Sequence, residues 1–468
     1  MDGSLSRQRS APAKTNDSLG FWYSRRTAGL AIVFAFLIIQ ALSWVIPPFQ
    51  SPDEFAHVKR AYLLSKGEVF LRARDGTTGG DIDTGLLAYM NVFERFPFQY
   101  DKKLTDAENR SSKRIVWSEK RQFSGLSNTA VYFPVLYLPQ AMAITFGERI
   151  GLSVRHTYYF ARVLSLAATL GLLWAALLTY PTPLIVIALF AIPMTMFQLG
   201  CASLDAITFG MCALTAALFK RGSDVGYSFD ARMHLTLFIC VLFLATARIN
   251  LIALTLLPAV LYPMRGSRSY LISSATSLGL SFAWIVFALI TVKGMPSREL
   301  STIEVANYYL THPGSLLRIF LNTLGDAEIL KSYWAMFIGV LGWLDTPLDS
   351  YVYVLFGLLL FILSVVSLRY DKISLFNAGS LSLSCAALVS LAFLFLIELL
   401  TWTSYPAKVI DGIQGRYFTP ILILLGYSMF GRSMSPLALR WGWPLIPIAI
   451  AFSIMSMTPK LLDRYWLG

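Results

Sequence analysis

The run Pro47-Pro48-Phe49-Gln50-Ser51-Pro52-Asp53-Glu54-Phe55-Ala56-His57 sets two carboxylates and an imidazole directly after the first long apolar stretch. Acidic groups at a bilayer boundary are costly to bury and usually serve chemistry or ion handling. Ser51 as a cap and Pro52 in the first turn would start a helix here, with Asp53 and Glu54 where the helix dipole favours negative charge. His57 follows Asp53 by four residues and would share its face. Four more places carry similar residue types. Asp205 begins an apolar stretch, Arg248 sits in Ala247-Arg248-Ile249-Asn250, Asp345 ends a Gly-rich apolar run, and Gln414-Gly415-Arg416-Tyr417 precedes another. A planar guanidinium makes paired bonds to phosphate, and a positioned carboxylate takes a proton from an attacking hydroxyl. The set suits an anionic lipid headgroup as one substrate and a proton-losing acceptor as the other.

In that chemistry Asp53 is the first candidate base and Glu54 the second. Arg248 and Arg416 would stabilise a departing phosphate. His57, Asp205, Asp345, Gln414 and Tyr417 would contact substrate. Each has a purely structural alternative. Asp53, Glu54 and Asp205 could be helix N-terminal acids, and His57 a hydrogen-bond partner. Arg248 could snorkel to an interface, Asp345 could turn the chain before Pro347, Gly415 could make a turn, and Tyr417 could sit in an aromatic belt. A phosphate leaving group stabilised by cations does not require a divalent metal. Asp53, Glu54, Asp205 and Asp345 could still supply oxygen ligands if they met.

The elements that would position these residues are membrane helices. The 468 residues are 56% hydrophobic and 14% charged, against about 25% charged in soluble proteins. Mean hydropathy is +0.58. The expected class is an all-α polytopic membrane protein. The net charge of +12 does not point to nucleic acid, because many cations cluster in short loops between apolar runs, as orientation in a membrane requires. Cys201, Cys212, Cys240 and Cys385 show no pairing or metal spacing and read as small buried hydrophobes. No dinucleotide, phosphate-loop, zinc-protease or nucleophile-elbow motif is present.

Taken in order, residues 1–26 read as a disordered cytoplasmic tail and residues 27–460 as a membrane domain. A first helix, 27–46, crosses outward. Residues 48–128 form the first external loop, whose opening helix is amphipathic and would lie on the membrane surface. Its stretch Gly76-Thr77-Thr78-Gly79-Gly80-Asp81 reads as a loop. A second crossing is expected over 130–145 and a third over 157–180. Prolines 181, 183 and 193 break residues 182–199, which either cross or re-enter. The later cations favour re-entry, giving about eleven crossings. Residues 247–250 read as a tight outward corner, since Arg248 in mid-membrane would cost at least about 2.5–3.5 kcal/mol. Residues 293–350 and 401–416 would be external, and 461–468 a C-terminal tail outside.

Three motifs carry a resemblance. Pro48 to His57, Phe337 to Thr346, and Gly412-Ile413-Gln414-Gly415-Arg416-Tyr417-Phe418 with Pro420 resemble, in this order, the bacterial membrane family called domain of unknown function 2142. That family is similar to the C-type (GT-C) glycosyltransferases. The resemblance implies a GT-C-like bundle in the bacterial cytoplasmic membrane. It implies transfer of a sugar from a polyprenyl-phosphate donor to a glycan, lipid or protein acceptor of the cell envelope. It further implies Asp53 as the base, Asp205 as a second acid, and Arg248 as the phosphate contact where a lysine is more usual. A single carboxylate acting by direct displacement would invert the anomeric carbon. Two other expectations stay open: a transporter or flippase for a lipid-linked glycan, and a non-catalytic subunit of an envelope-polymer assembly.

Overall fold

The computed structural model describes residues 25–294, 300–368, 377–429 and 438–467. The expected tail lies outside the described residues but for Arg25 and Arg26, and so do the loop cations Arg369, Lys372 and Arg432.

Helix α1 (Arg25–Val45) shows Leu30, Phe34 and Leu37 on its outside, as a lipid-facing helix does. α2 (Glu54–Ser65) follows. It does not lie on a surface. Glu54, His57, Arg60 and Tyr62 are all buried, because the segment 134–149 packs on the helix and the rest of the first loop adds to the cover. Part of that cover is an antiparallel sheet of β1 (Arg72–Arg74), β2 (Thr77–Asp83) and β3 (Arg121–Gly125), in the order β1-β2-β3. The stretch expected as a loop is therefore the central strand, with Gly79 opposite Gly125 and Asp83 opposite Arg121. The fold remains mostly helical with little sheet.

The second expected crossing is instead a 12-residue helix, α3 (Leu138–Arg149), because Pro134 and Pro139 start new helical segments. α3 packs on α4 (Val154–Thr179). Residues 182–199 form two short helices. The second of these, α5 (Pro193–Leu199), is wholly buried and bends by 108° into α6 (Leu204–Ser223). α7 (Ala231–Ala247) stops at Arg248, whose extended backbone turns the chain into a 3-10 segment, Ile249–Leu256. The corner expected there is present. α8 (Ser269–Thr291) follows.

Between 300 and 350 lie α9 (Thr302–Thr311), α10 (Pro313–Gly325), α11 (Ala327–Gly339) and a two-stranded ribbon of β4 (Val340–Leu341) and β5 (Thr346–Pro347). α12 (Ser350–Leu368), α13 (Ala378–Thr401), α14 (Phe418–Met429) and α15 (Leu445–Tyr465) complete the described fold. α15 runs well into the expected C-terminal tail. Leu461, Arg464 and Tyr465 are buried there, and Arg464 donates to Phe96 O at 2.6 Å.

Among the described residues, five helices are long and apolar enough to cross a membrane: α1, α4, α8, α13 and the span Arg440–Tyr465 that contains α15. The bent pair α5–α6 makes a sixth if it counts as one span. Three further apolar helices are shorter: α7, the segment Ile249–Arg265, and Ser350–Val366 within α12. Four of the other expected crossings fall on these short or broken pieces, while those over 130–145 and 418–431 fall on α3 and α14, which are not among the apolar helices of that length.

Candidate functional site

The link between α1 and α2 is held from beneath by one arginine of α4. Arg162 donates to Ser43 O (3.0 Å), Ile46 O (2.9 Å) and Pro47 O (3.0 Å). It thereby satisfies carbonyls that the end of α1 leaves open. Its guanidinium also lies 3.5 Å from Glu54 Oε1. Glu54 is 0% exposed and accepts from Tyr158 OH (2.6 Å), Ala202 N (2.7 Å) and Ser51 N (3.3 Å). The second candidate base is thus an internal anchor. Ser51 does not cap the helix. Its hydroxyl donates to Gln198 Oε1 at 2.9 Å, and the helix begins only at Glu54.

Asp53 is turned the other way. It occupies the N-cap position in the left-handed region, φ 63°, with no side-chain bond to the helix. Aspartate is among the few residues that adopt this conformation readily. Its carboxylate accepts from Asn128 Nδ2 (3.2 Å) and Arg416 Nη2 (2.9 Å), and its side chain remains 33% exposed.

That exposed part faces a cavity of about 530 Å³ that Asp53, His57, Asp205, Arg248, Gln414, Arg416 and Tyr417 line together. Asp205 enters from the first turn of α6 and Arg248 from the corner after α7. Arg416 enters from a 3-10 turn, Gly415–Tyr417. A Cβ on Gly415 would lie 2.1 Å from Phe337 N, so only glycine lets this turn press against α11. Gly415 therefore serves close backbone approach. Arg416 pairs with both acids, at 2.9 Å from Asp53 and 3.2 Å from Asp205, and donates to Pro52 O at 3.1 Å. Arg248 pairs with the other oxygen of Asp205. It stands over the rings of Tyr132 (5.3 Å) and Tyr417 (5.9 Å), which favour a cation electrostatically. Among the described residues, Arg416 Nε and Gln414 Oε1 are buried with no hydrogen-bond partner. α8 and α13 add apolar lining through Ile285, Leu289, Leu394 and Ile397.

His57 Nδ1 lies 2.7 Å from Tyr137 OH. Burial pushes its pKa down to about 4, helped by Arg248 and Arg416 and opposed by Asp53 and Asp205. The ring is neutral at pH 7.

Asp345 does not reach this cavity. It is 2% exposed, pairs with Arg464 at 3.0 Å, and accepts from Phe98 N at 3.0 Å and from Thr346 Oγ1 at 2.9 Å. It holds the turn before β5. Asp53, Glu54, Asp205 and Asp345 consequently do not form one ligand set, and no group of three or more His, Cys, Asp or Glu suited to a metal occurs among the described residues.

The three sequence motifs converge. Trp343 Nε1 donates to Phe49 O (3.0 Å), Gly415 lies on Phe337, and Arg416 bonds Asp53. Sequence reasoning overlooked Asn128, Tyr132 and Glu398, which also line the cavity. Glu398 carried a readable signal, a lone carboxylate in the last turn of an apolar helix. Asn128 and Tyr132 carried none.

Fold and site together define a helical membrane protein with several apolar spans and a charged cavity that two of them, α8 and α13, help to line. A family model described as "Predicted membrane protein (DUF2142)" matches residues 19–425, and the chain belongs to that family. No curated protein and no solved structure matches the chain.

Proposed function

We propose that this chain is an integral-membrane glycosyltransferase of the GT-C type. It moves a sugar from a polyprenyl-phosphate donor to a hydroxyl of a cell-envelope glycan, lipid or protein. One observation carries the reading: Asp53, Asp205, Arg248 and Arg416 share a cavity to which two candidate membrane spans, α8 and α13, add apolar side chains. An amphipathic lipid phosphate matches such a mixture of guanidinium and apolar surface.

In the proposed reaction the bond from the anomeric carbon to the phosphate oxygen breaks, and the electron pair leaves with the lipid phosphate. The acceptor oxygen bonds to that carbon from the opposite face, with inversion, and its proton passes to Asp53. Arg248 spends one nitrogen on Asp205 and offers its remaining donors to the phosphate. Arg416 pairs with Asp53 at 2.9 Å and orients its carboxylate. His57, neutral, bounds the site beside Asp53. The short and broken helices would complete a bundle of about eleven crossings, with the N-terminus cytoplasmic, the C-terminus outside, and the cavity on the non-cytoplasmic side of a bacterial cytoplasmic membrane.

The test uses full-length protein in nanodiscs with polyprenyl-phosphate-linked hexoses and pentoses as donors and envelope extracts as acceptors. Asp53→Asn is expected to lower transfer by about 10²–10⁴-fold, the usual contribution of a positioned base. Arg248→Ala is expected to weaken binding of unglycosylated polyprenyl phosphate. Wild-type transfer rates in folded Asp53→Asn protein would remove Asp53 from the role of base.

A further inference from the structure

One wall of the cavity has no part in the phosphate or proton chemistry above. It is built by the end of α13 and the chain that returns to Arg416. Glu398, Trp402, Gly412 and Gln414 all line the cavity there. Trp402 follows the last residue of α13 and keeps 52% of its surface exposed, although its backbone is fixed, its N–H donating to Glu398 O at 2.9 Å. Thr403 straps the turn: its hydroxyl donates to Glu398 O (3.0 Å) and accepts from Asp411 N (3.0 Å). Gly412 is left-handed, φ +87°, and a Cβ there would lie 2.2 Å from Trp402 Cδ1 and 2.8 Å from Glu398 Oε2. The indole and the carboxylate therefore both rest against one glycine. Two residues on, Gln414 buries its side-chain oxygen with no hydrogen-bond partner among the described residues.

An exposed indole beside a carboxylate, with a buried amide oxygen on the same cavity wall, is a chemistry for polyols. A sugar ring offers a face of C–H bonds, which packs on an aromatic plane, and a rim of hydroxyls that donate to carboxylate and amide oxygens. A purely apolar chain would leave Gln414 Oε1 unsatisfied. We propose that Trp402, Glu398 and Gln414 form a sugar subsite, with Trp402 the stacking platform and Gln414 Oε1 the buried acceptor for one hydroxyl. This deepens the glycosyltransferase reading and rests on it for the identity of the glycan. The ring it receives belongs either to the lipid-linked donor or to the acceptor, and the same residues serve both chemistries.

The experiment measures binding to full-length wild type, Trp402→Ala, Gln414→Leu and Arg248→Ala in nanodiscs. The probes are unglycosylated polyprenyl phosphate, polyprenyl-phosphate hexoses and pentoses, and an array of free oligosaccharides. Trp402→Ala is expected to weaken sugar-bearing probes about tenfold, the scale of losing one aromatic stack and its buried area. It is expected to bind bare polyprenyl phosphate as wild type does, while Arg248→Ala loses bare polyprenyl phosphate. Loss confined to lipid-linked sugars assigns the subsite to the donor, and loss confined to free oligosaccharides assigns it to the acceptor. If wild type ignores polyprenyl phosphate yet binds oligosaccharides through Trp402, the subsite stands and the lipid-phosphate donor falls. If Trp402→Ala and Gln414→Leu bind every sugar as wild type does, or wild type binds none, the subsite is overturned, and an Arg248-dependent phosphate site would survive alone.

Discussion

Adjacent residues in one motif have opposite roles. Asp53 and Glu54 differ by one position, yet one borders a cavity and the other is sealed inside with Arg162, Tyr158 and the Ala202 amide. Removing one partner of a buried ion pair typically costs about 3–5 kcal/mol, because the other is left charged and uncompensated. Arg162→Ala and Glu54→Gln should therefore lower the thermal unfolding temperature in detergent markedly. Asp53→Asn should lower it far less, since its side chain is 33% exposed and Arg416 keeps Asp205 and Pro52 O. Equal melting of Glu54→Gln and wild type would contradict the anchor. His57 makes a pH prediction. Its folded pKa, about 4, lies below the ordinary 6.5, so the unfolded chain binds more protons between those values. Its contribution is then fully present at pH 7 and lost as pH falls through 6.5 toward 4. Between pH 7 and 5 this amounts to on the order of 2 kcal/mol. Wild type should lose more stability over that interval than His57→Asn, and parallel pH profiles would refute the neutral assignment.

At the scale of elements, the site depends on how closely separate segments approach. The turn Gly415–Tyr417 carries Arg416 to Asp53 only because Gly415 lets it lie on the backbone of Tyr333, Met336 and Phe337 in α11. Gly415→Ala would force these apart, and overpacking of this kind costs about 1–3 kcal/mol. The expected result is a lower melting temperature together with weaker polyprenyl-phosphate binding, while Gly314→Ala, with open space around it, changes neither. A wild-type melting curve for Gly415→Ala would show that the contact is relaxed in solution. The same scale explains what could be read in the sequence. A helix after the acidic pair was legible from local spacing, and so was the Arg248 corner, because a mid-membrane arginine is costly. The exact start of α2 was not, since Ser51 bonds Gln198 and Glu54 bonds Ala202, both more than 140 residues away. The strand β2 was misread as loop because its residues do not alternate in polarity and its longer pairing is with β3, which begins 38 residues after β2 ends; only the short pairing with β1, across Asp75-Gly76, is local. Asp345 was drawn into the site by its motif, while its partner, Arg464, lay in a segment read as a tail.

Across the whole molecule, three successive helices are polarised alike. α6 starts with Asp205 at the cavity and ends with Lys220 and Arg221. α7 starts beside Arg232 and ends at Arg248, back at the cavity. α8 starts after Arg268 and ends near Lys293, which again lines the cavity. Arg265 ties the far ends together by donating to Arg221 O, Gly222 O, Asp224 O and Tyr227 O. One end of the bundle is therefore a cationic collar and the other holds the site, separated by the length of α6, about 30 Å for its 20 residues. Cationic loops stay in the cytoplasm, so the collar should face inside and the cavity outside. Single-cysteine labelling on intact spheroplasts tests this in a Cys385→Ser background, because Cys385 is exposed and Cys201, Cys212 and Cys240 are buried. Lys113→Cys, exposed in the first long loop, should react with a membrane-impermeant maleimide without permeabilisation. Ser267→Cys, exposed beside the collar, should react only after it. The reverse pattern would put Asp53 and Arg248 in the cytoplasm, where a nucleotide-linked donor would be available and a lipid-linked one would no longer be the natural substrate.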